Sequence, residues 1–384
     1  MSTEQRFRWL WIFVLLAVPV LAFIWAFPEG LGLPLVDAHV YAAAIDKWMA
    51  GSDVYSFTTT VNVLYPPVFL YTGGFLASAL TPHAGWMIFL ALHIIAAISL
   101  PFLLYRFYLR GHDVGLAWFF WFYFAAPGFL GILALKFGNI ATLGYTLMLS
   151  AAIPGLKRNN WVAFYLGVFL CCSIKITFLP MLLLPLLCGR KQWLGAIGCG
   201  LASIAGLYSQ KLLVPELYSR FQENLRMQAE NMGDVGKGVF AMLFHITHKL
   251  NYKSLTVPLL GHAAVALVVL LLLVHLRRIG HDQSLPEWPA LVVTGILFTM
   301  PRVNYYDLCV VVPLIFVLAI RILRIPAPRL IYLGLFVISI PCMIYARDTI
   351  LNGVVGSLTA LALFFMVAIR LARGSGQESL EILQ

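Results

Sequence analysis

Apolar segments separated by short polar ones follow one another along nearly the whole chain. Many of them approach the length of about twenty residues that an α-helix needs to cross the hydrocarbon core of a bilayer. The pattern therefore predicts an all-α polytopic integral membrane protein with about 11–13 transmembrane helices. The predicted spans are 7–27, 64–80, 86–105, 114–134, 140–156, 161–174, 176–188, 193–214, 258–276, 289–304, 308–323, 330–346 and 350–370.

Two neighbouring apolar segments, 161–174 and 176–188, are each too short to cross a bilayer comfortably. Basic dipeptides flank the pair on both outer sides, at 157–158 and 190–191, and Lys175 stands at the joint. A hairpin of two short helices keeps both basic flanks on one side of the membrane. The pattern therefore predicts such a hairpin, with Lys175 at its apex near the outer half of the bilayer.

The segment from 64 to 110 leaves two topologies open. If Arg106 and Arg110 are cytoplasmic, one of the segments 64–80 and 86–105 does not cross fully. If both segments cross, these two arginines face outside.

A polar segment, 28–62, follows the first predicted span. Between Asp37 and Met49 its apolar residues recur at helical spacing, which predicts a short interfacial helix. Gly51 is expected to end this helix, because glycine readily adopts the left-handed conformation of a helix C-terminus. The prolines of Tyr65-Pro66-Pro67 then mark the entry into the next span.

A second polar segment, 215–257, also has internal order. Leu217, Phe221 and Leu225 recur at helical spacing among polar residues, which predicts a second helix lying on the membrane. We expect both polar segments to lie outside and to cover one common site.

The composition agrees with this class of protein. Of the 384 residues, 61% are hydrophobic and only 11% are charged, which is too little charge for a soluble surface. We expect one membrane domain over residues 1–373 and a disordered cytoplasmic tail over 374–384. The six cysteines lie in apolar segments, which indicates neither a disulfide framework nor a thiolate metal site.

The formal net charge of +10 is distributed as short basic clusters between apolar runs. This is the distribution of cytoplasmic loops, so it does not indicate a nucleic-acid partner. Arg6 and Arg8 place the N-terminus in the cytoplasm, and the basic C-terminal region places the C-terminus there too. The protein is predicted to be a multi-pass plasma (inner) membrane protein with its site on the extracytoplasmic face.

Asp37 lies where the first membrane helix gives way to water. A carboxylate there can reach a lipid-borne group and a soluble one, and it could deprotonate an attacking hydroxyl. Lys136, Lys175 and Arg302 stand within or between apolar runs, where a charge costs about 2.5–3.5 kcal/mol at mid-helix and therefore points to function. Cations at the rim of a lipid cavity suit a phosphate. Asp307 adds a second carboxylate.

Simpler roles remain open for the same residues. Asp37 could be the N-cap of the interfacial helix. Lys136 and Lys175 could extend to the interface as anchors. Arg302 and Asp307 could pair with each other.

The sequence resembles glycosyltransferase family 87 in several short motifs. The strongest set lies in and just after the first polar segment, at 37–41, 51–55 and 65–67. Later matches are Phe137-Gly138-Asn139-Ile140, Lys175 followed by Pro180, and Pro301-Arg302 with Tyr306-Asp307. The resemblance implies a GT-C-type fold and a polyprenyl-phosphate sugar donor. It further implies that Asp37 is the catalytic aspartate and that Lys175 is a basic residue of the outer cavity.

We therefore expect a membrane glycosyltransferase that moves a hexose or pentose from a polyprenyl-phosphate donor to a lipid or glycan hydroxyl, with inversion. Membrane lipids are the other partners. No cofactor is predicted, although an acidic pair with water could hold a divalent ion weakly. The predicted site has Asp37 as the general base, with donor and substrate contacts from Lys175, Lys136, Arg302, Asn139, Tyr306, Asp307, His39, Tyr41 and Tyr65.

Three other classes of function are alternatives for the same pattern. A transporter or flippase of a lipid-linked or anionic substrate also has buried cations and broken helices, although no internal repeat is evident. A polysaccharide polymerase or ligase would differ by its long-chain product. A membrane acyltransferase, the least supported alternative, would need a catalytic histidine within a span, and His93, His262 and His275 are the candidates.

Overall fold

A computed structural model describes residues 35–55, 64–110, 115–125, 131, 134, 137–230, 235–252, 254–324 and 349–381. Every regular element in these ranges is helical. The α-helices are α1 (Val36–Met49), α2 (Pro67–Ala79), α3 (Pro82–Leu103), α4 (Leu116–Ala125), α5 (Ile140–Ala151), α6 (Ile153–Arg158), α7 (Val162–Ile174), α8 (Leu183–Cys188), α9 (Trp193–Leu213), α10 (Pro215–Glu230), α11 (Val239–Lys249), α12 (Thr256–Arg278), α13 (His281–Ser284), α14 (Trp288–Phe298), α15 (Tyr305–Ile322) and α16 (Thr349–Glu381). A π-helical turn, Leu104–Tyr108, extends α3, and a 3₁₀ helix, Ile176–Leu182, precedes α8.

Within the described ranges, 5 helices are long and apolar enough to cross a membrane, or up to 6 if the bent pair α9 and α10 forms one span. This confirms an all-α polytopic membrane protein. The predicted count of about 11–13 spans is not reached in these ranges, because four further segments form apolar helices of only 10–17 residues. The predicted spans 7–27 and 330–346 lie outside the described residues.

The helix α16 continues to Glu381. Residues 374–381, which belong to the tail predicted to be disordered, are therefore helical in the structure. The polar sequence after Gly374 includes Gln377, Glu378 and Glu381, and these residue types have high helix propensity.

The chain divides into two compact units. Unit 1 comprises Met1–Leu33, Ser99–Ala134 and Gly236–Gln384, and unit 2 comprises Pro34–Ile98 and Leu135–Val235. In unit 1 the helices α14 and α15 form a core, and every residue of α14 is buried.

The hairpin predicted around Lys175 is confirmed in unit 2. The side chain of Asn159 accepts a hydrogen bond from the backbone N–H of Arg190 at 2.9 Å and donates one to its carbonyl at 3.2 Å. The two ends of the hairpin are therefore closed against each other. Lys175, between α7 and the 3₁₀ helix, lies at the opposite end.

The helices α5 and α7 run antiparallel in a register that locates Lys175. The thiol of Cys171 donates to the carbonyl of Gly144 at 3.9 Å. Nearer the connection between the helices, Gly167 faces Met148. Both contacts belong to one register, and continuing it to the end of the pair places Lys175 level with Ile140, the first residue of α5.

The helices α1 and α2 run parallel, because contacts advance along both in the same direction. Tyr41 lies 5.5 Å from Phe69 between ring centroids. Two turns further along, a Cβ on Gly74 would come within 3.2 Å of the Trp48 ring. The two helices therefore begin at the same end of unit 2, so Asp37 and Tyr65 belong to one region.

The helix predicted in the second polar segment is present as α10, and its position on the membrane stays a prediction. It turns by 118° from α9. Among residues 215–227 of this helix, Tyr218, Phe221 and Asn224 are buried, whereas Leu225, which was expected on the apolar face, is 39% exposed. The buried face is centred on Phe221, as expected, and the ring of Tyr218 packs beside that of Phe221.

Candidate active site

Asp37 lies in the first turn of α1 and is half-buried. The N-cap of α1 is Leu35, which adopts a left-handed conformation with φ of 63°. The alternative role of Asp37 as the N-cap is therefore wrong. A carboxylate in the first turn interacts favourably with the partial positive charge of the helix N-terminus.

Asn139 fixes the position of this carboxylate. Its side-chain oxygen accepts from the backbone N–H of Ala141 at 2.9 Å and caps α5. Its Nδ2 donates to Oδ2 of Asp37 at 2.5 Å. The backbone N–H can only donate, so the amide orientation follows from the geometry. Asn139, predicted as a substrate contact, thus has a demonstrated structural role.

Gly138 allows the two helix N-termini to approach each other. It has a φ of +61°, and a Cβ there would come within 2.8 Å of the Leu35 side chain and 3.0 Å of its Cα. An L-amino acid would meet both backbone strain and a collision with the main chain. The Gly-Asn pair therefore brings the start of α5 against the start of α1.

Three tyrosines, Tyr41, Tyr55 and Tyr65, are linked by hydrogen bonds, and Tyr41 among them lies near Asp37. The hydroxyls of Tyr41 and Tyr65 are 2.8 Å apart, and the backbone N–H of Ile140 donates to Tyr41 at 3.3 Å. The hydroxyl of Tyr55 donates to the Tyr65 carbonyl at 2.8 Å. Burial, followed by the nearby Tyr65 and Asp37, raises the pKa of Tyr41 well above its ordinary value.

The Tyr41 hydroxyl is therefore a neutral hydrogen-bonding group near neutral pH. Tyr41 and Tyr65 are buried, which gives both a packing role. Their predicted contact with substrate stays a prediction. His39 is half-buried and packs on Trp86 with ring centroids 4.6 Å apart.

Lys175 lies at the same end of unit 2. It is half-buried, and its ammonium group lies 5.9 Å from the ring centroid of Phe178. The preceding Ile174 packs against the apolar cluster that contains Leu35 and Tyr41. A cation and helix N-termini, which carry partial positive charge, together favour the binding of an anion.

The predicted site residues of unit 1, Arg302, Tyr306 and Asp307, lie at or just before the start of α15. Asn304 is the N-cap of α15, and its backbone N–H donates to Oδ2 of Asp307 at 2.6 Å in a capping box. The Asn304 side chain donates to the hydroxyl of Tyr306 at 2.9 Å. Arg302 is half-buried just before this cap. Lys136 lies outside the described residues.

Two structural residues were missed by the sequence reasoning. Gln210, a polar residue in an apolar span, accepts from the backbone N–H of Val68 at 2.9 Å and caps the start of α2. In unit 1, Lys237 is only 7% exposed, with its ammonium 5.6 Å from the ring centroid of Tyr305. The isolated lysine between Gly236 and Gly238 was the available signal.

A metal centre does not emerge from the described part of the chain, where no group of three or more His, Cys, Asp or Glu side chains is placed to hold a metal ion.

A family model for glycosyltransferase family 87 matches residues 63–303, more than half of the chain. The chain belongs to glycosyltransferase family 87. Searches of curated proteins and of solved structures found no match. This family-87 protein is therefore a membrane glycosyltransferase, and family membership favours an enzyme over a transporter or flippase.

The matched segment includes Tyr65, Asn139, Lys175 and Arg302. It begins after Asp37. The matched range assigns no role to any of these residues, so their roles in the site stay predictions.

Proposed function

We propose that this glycosyltransferase moves a hexose or pentose from a polyprenyl-phosphate donor to a hydroxyl of a lipid or glycan acceptor, on the extracytoplasmic face and with inversion. Asp37 is the general base and Lys175 binds the donor phosphate. The observation that carries the proposal is the hydrogen bond from Asn139 to Asp37, which fixes a carboxylate at the end of unit 2 where Lys175 lies.

The base function follows from the chemistry of a held carboxylate. An ionised carboxylate has about four lone-pair sites, so it can be held by the amide of Asn139 and also accept the hydrogen of a substrate hydroxyl. Asp37 takes that proton while the hydroxyl oxygen attacks the anomeric carbon. The bond from this carbon to the phosphate oxygen breaks, and its electron pair leaves with the phosphate.

Attack from the face opposite the phosphate inverts the anomeric configuration. Positioning of the acceptor and neutralisation of the departing phosphate provide most of the rate enhancement, because a phosphate paired with a cation is already a good leaving group.

Lys175 suits the phosphate role for two reasons. Its ammonium is a compact point charge on a flexible stem, which can follow a phosphate as negative charge develops on it. The N-terminus of α5, level with Lys175, adds backbone dipoles of the same sign. Arg302 and Lys136 remain predicted phosphate contacts.

The proposed side of the membrane follows from the charges of unit 2. The basic residues at 157–158 and 190–191 lie at the closed base of the hairpin, and Lys175 lies at its apex. The positive-inside rule assigns the basic end to the cytoplasm. Asp37 and Lys175 then belong to the extracytoplasmic end, in the plasma membrane.

The test is sugar transfer by purified protein in nanodiscs, supplied with radiolabelled polyprenyl-phosphate hexoses and pentoses and with membrane lipid extract as acceptor. Asp37→Asn keeps the size of the side chain and removes the base. We expect it to lower kcat by about 10²–10⁴-fold. Asp46→Asn is the matched control, since Asp46 is an exposed residue of the same helix, and it should transfer normally. Near-normal turnover by Asp37→Asn would remove Asp37 as the base.

A further inference from the structure

A cavity separate from the Asp37 region lies in unit 2. Its volume is about 470 Å³, and it is formed by the end of α1, by α2 and by the bend between α9 and α10. Trp48 and Tyr71 line it, with ring centroids 5.0 Å apart and planes at 71°. Tyr71 is 46% exposed, so an aromatic surface is open to a ligand.

Polar groups line another part of the cavity, beside the apolar side chains of Val54, Val214, Pro215 and Leu217. Arg220 on α10 pairs with Asp53 at 3.2 Å, and Glu216 and Ser52 complete the polar lining. The Asp53 side chain also accepts from the backbone N–H of Tyr55 at 3.1 Å. This hydrogen bond holds the Asp53 carboxylate against the loop after α1.

The charges of the cavity disfavour an anion. Two carboxylates, those of Asp53 and Glu216, accompany the single guanidinium of Arg220 among the lining residues. Because Arg220 is already paired with Asp53, a phosphate would gain little and would be repelled by Glu216. A neutral ligand with many hydroxyls fits better.

We propose that this cavity binds a pyranose residue of a saccharide. A pyranose has an apolar face of C–H bonds that can lie on an aromatic ring, whose face carries partial negative charge. Its rim of hydroxyls can donate to carboxylates and accept from a guanidinium. The cavity offers these groups together, in the usual arrangement of an apolar surface with a few fixed polar groups.

The distance between the cavity and Asp37 indicates how the cavity could contribute to acceptor binding. Trp48 follows Asp37 by about three turns of α1, or about 16 Å, which is the length of several linked pyranose rings. The cavity is therefore a distal acceptor subsite: it holds one sugar of an oligosaccharide acceptor while another presents its hydroxyl at Asp37. This role rests on the proposed function, whereas saccharide binding itself does not.

The binding test uses saturation-transfer NMR and calorimetry on the full chain in phosphatidylcholine nanodiscs, so that no sugar-headed detergent competes. The probes are tetrasaccharides of glucose, galactose and mannose, with the monosaccharides for comparison. We expect saturable binding of at least one tetrasaccharide, with a loss of about tenfold or more in Trp48→Leu and in Arg220→Ala.

Matched controls distinguish a site from a general change of the protein. Trp193→Leu replaces an exposed tryptophan outside the cavity, and Arg226→Ala replaces an exposed arginine elsewhere on α10. Both controls should bind the tetrasaccharide like the unaltered protein. No saturable binding by any probe, unchanged binding in Trp48→Leu, or equal loss in the controls would overturn the proposal.

A second variant separates this inference from the proposed reaction. Asp37→Asn should bind the tetrasaccharide normally while failing to transfer sugar. Normal transfer by Asp37→Asn with tetrasaccharide binding intact would refute the proposed base and leave the saccharide site standing. Absent binding in a protein whose transfer depends on Asp37 would refute the saccharide site alone.

Discussion

The side-chain amide of Asn139 donates to the carboxylate of Asp37 at 2.5 Å, joining two residues far apart in the sequence. Asn139 caps α5 with its oxygen and holds Asp37 with its nitrogen. One side chain thus sets both the start of a helix and the position of the proposed base. The role of this amide can be tested separately from helix capping.

Asn139→Asp should abolish most transfer while the protein still folds. Aspartate is as good an N-cap as asparagine, so α5 keeps its cap. The hydrogen-bond donor is lost, and a second carboxylate repels Asp37 from its position. Displacement of a catalytic group by about 1 Å can cost about 100-fold in rate. We therefore expect a similar loss in kcat, measured in nanodiscs, with a normal elution profile on size exclusion. Transfer at the normal rate would show that the amide does not position Asp37.

Gly138→Ala should destabilise unit 2 more than Gly51→Ala does. Both glycines have positive φ, +61° and +68°, so both alanines carry a similar strain, of about 1–2 kcal/mol. Only the Cβ at 138 collides with Leu35, because a Cβ at 51 has nothing within 4 Å. Thermal unfolding of both variants measures the difference. Equal losses in Tm would mean that the close approach to Leu35 has no energetic weight.

Lys175→Ala should weaken use of the donor more than it harms stability. The loss of an ammonium that contacts the phosphate in the ground state raises KM for the polyprenyl-phosphate sugar, and loss of leaving-group stabilisation lowers kcat. Lys157→Ala, at the other end of the hairpin, is the control. Donor titrations at fixed acceptor measure both effects. An unchanged donor dependence in Lys175→Ala would count against the phosphate role.

Stability should fall at alkaline pH, partly through Tyr41. The folded state raises the pKa of this phenol, so above about pH 10 the unfolded chain releases the proton while the folded chain retains it. Its stabilising contribution is complete below that pH and is lost as pH rises. Tyr41→Phe should therefore be less stable at neutral pH by about 1 kcal/mol and should lose stability less steeply with rising pH. Parallel pH dependence of unfolding in the two proteins would contradict this.

Local patterns predicted several elements correctly. The helical spacing after Asp37 and the glycine at 51 predicted α1 and its end, where Gly51 and Ser52 donate to the carbonyls of Trp48 and Lys47. The short apolar segments with basic flanks predicted the hairpin around Lys175. These features depend on a few neighbouring residues and on the length of an apolar segment relative to the bilayer thickness. Both can be read directly from the sequence.

Contacts between residues far apart in the sequence were harder to predict from it. Asn139 was predicted to lie in the site, but its dual role depends on the approach of α5 to α1, which periodicity does not reveal. The same is true of Gln210, whose side chain caps α2. The carboxylate of Asp307 belongs to the capping box of α15, because the Asn-x-x-Asp spacing at 304–307 satisfies a helix N-terminus locally. Its role in the site stays a prediction.

The most direct test of the central claim is a cryo-EM structure of Asp37→Asn in nanodiscs with a bound polyprenyl-phosphate hexose. We expect the phosphate within hydrogen-bond distance of Nζ of Lys175, and the anomeric carbon facing residue 37 on the side opposite the phosphate. A phosphate bound away from Lys175, or a residue 37 side chain turned into bulk water away from the sugar, would contradict the account.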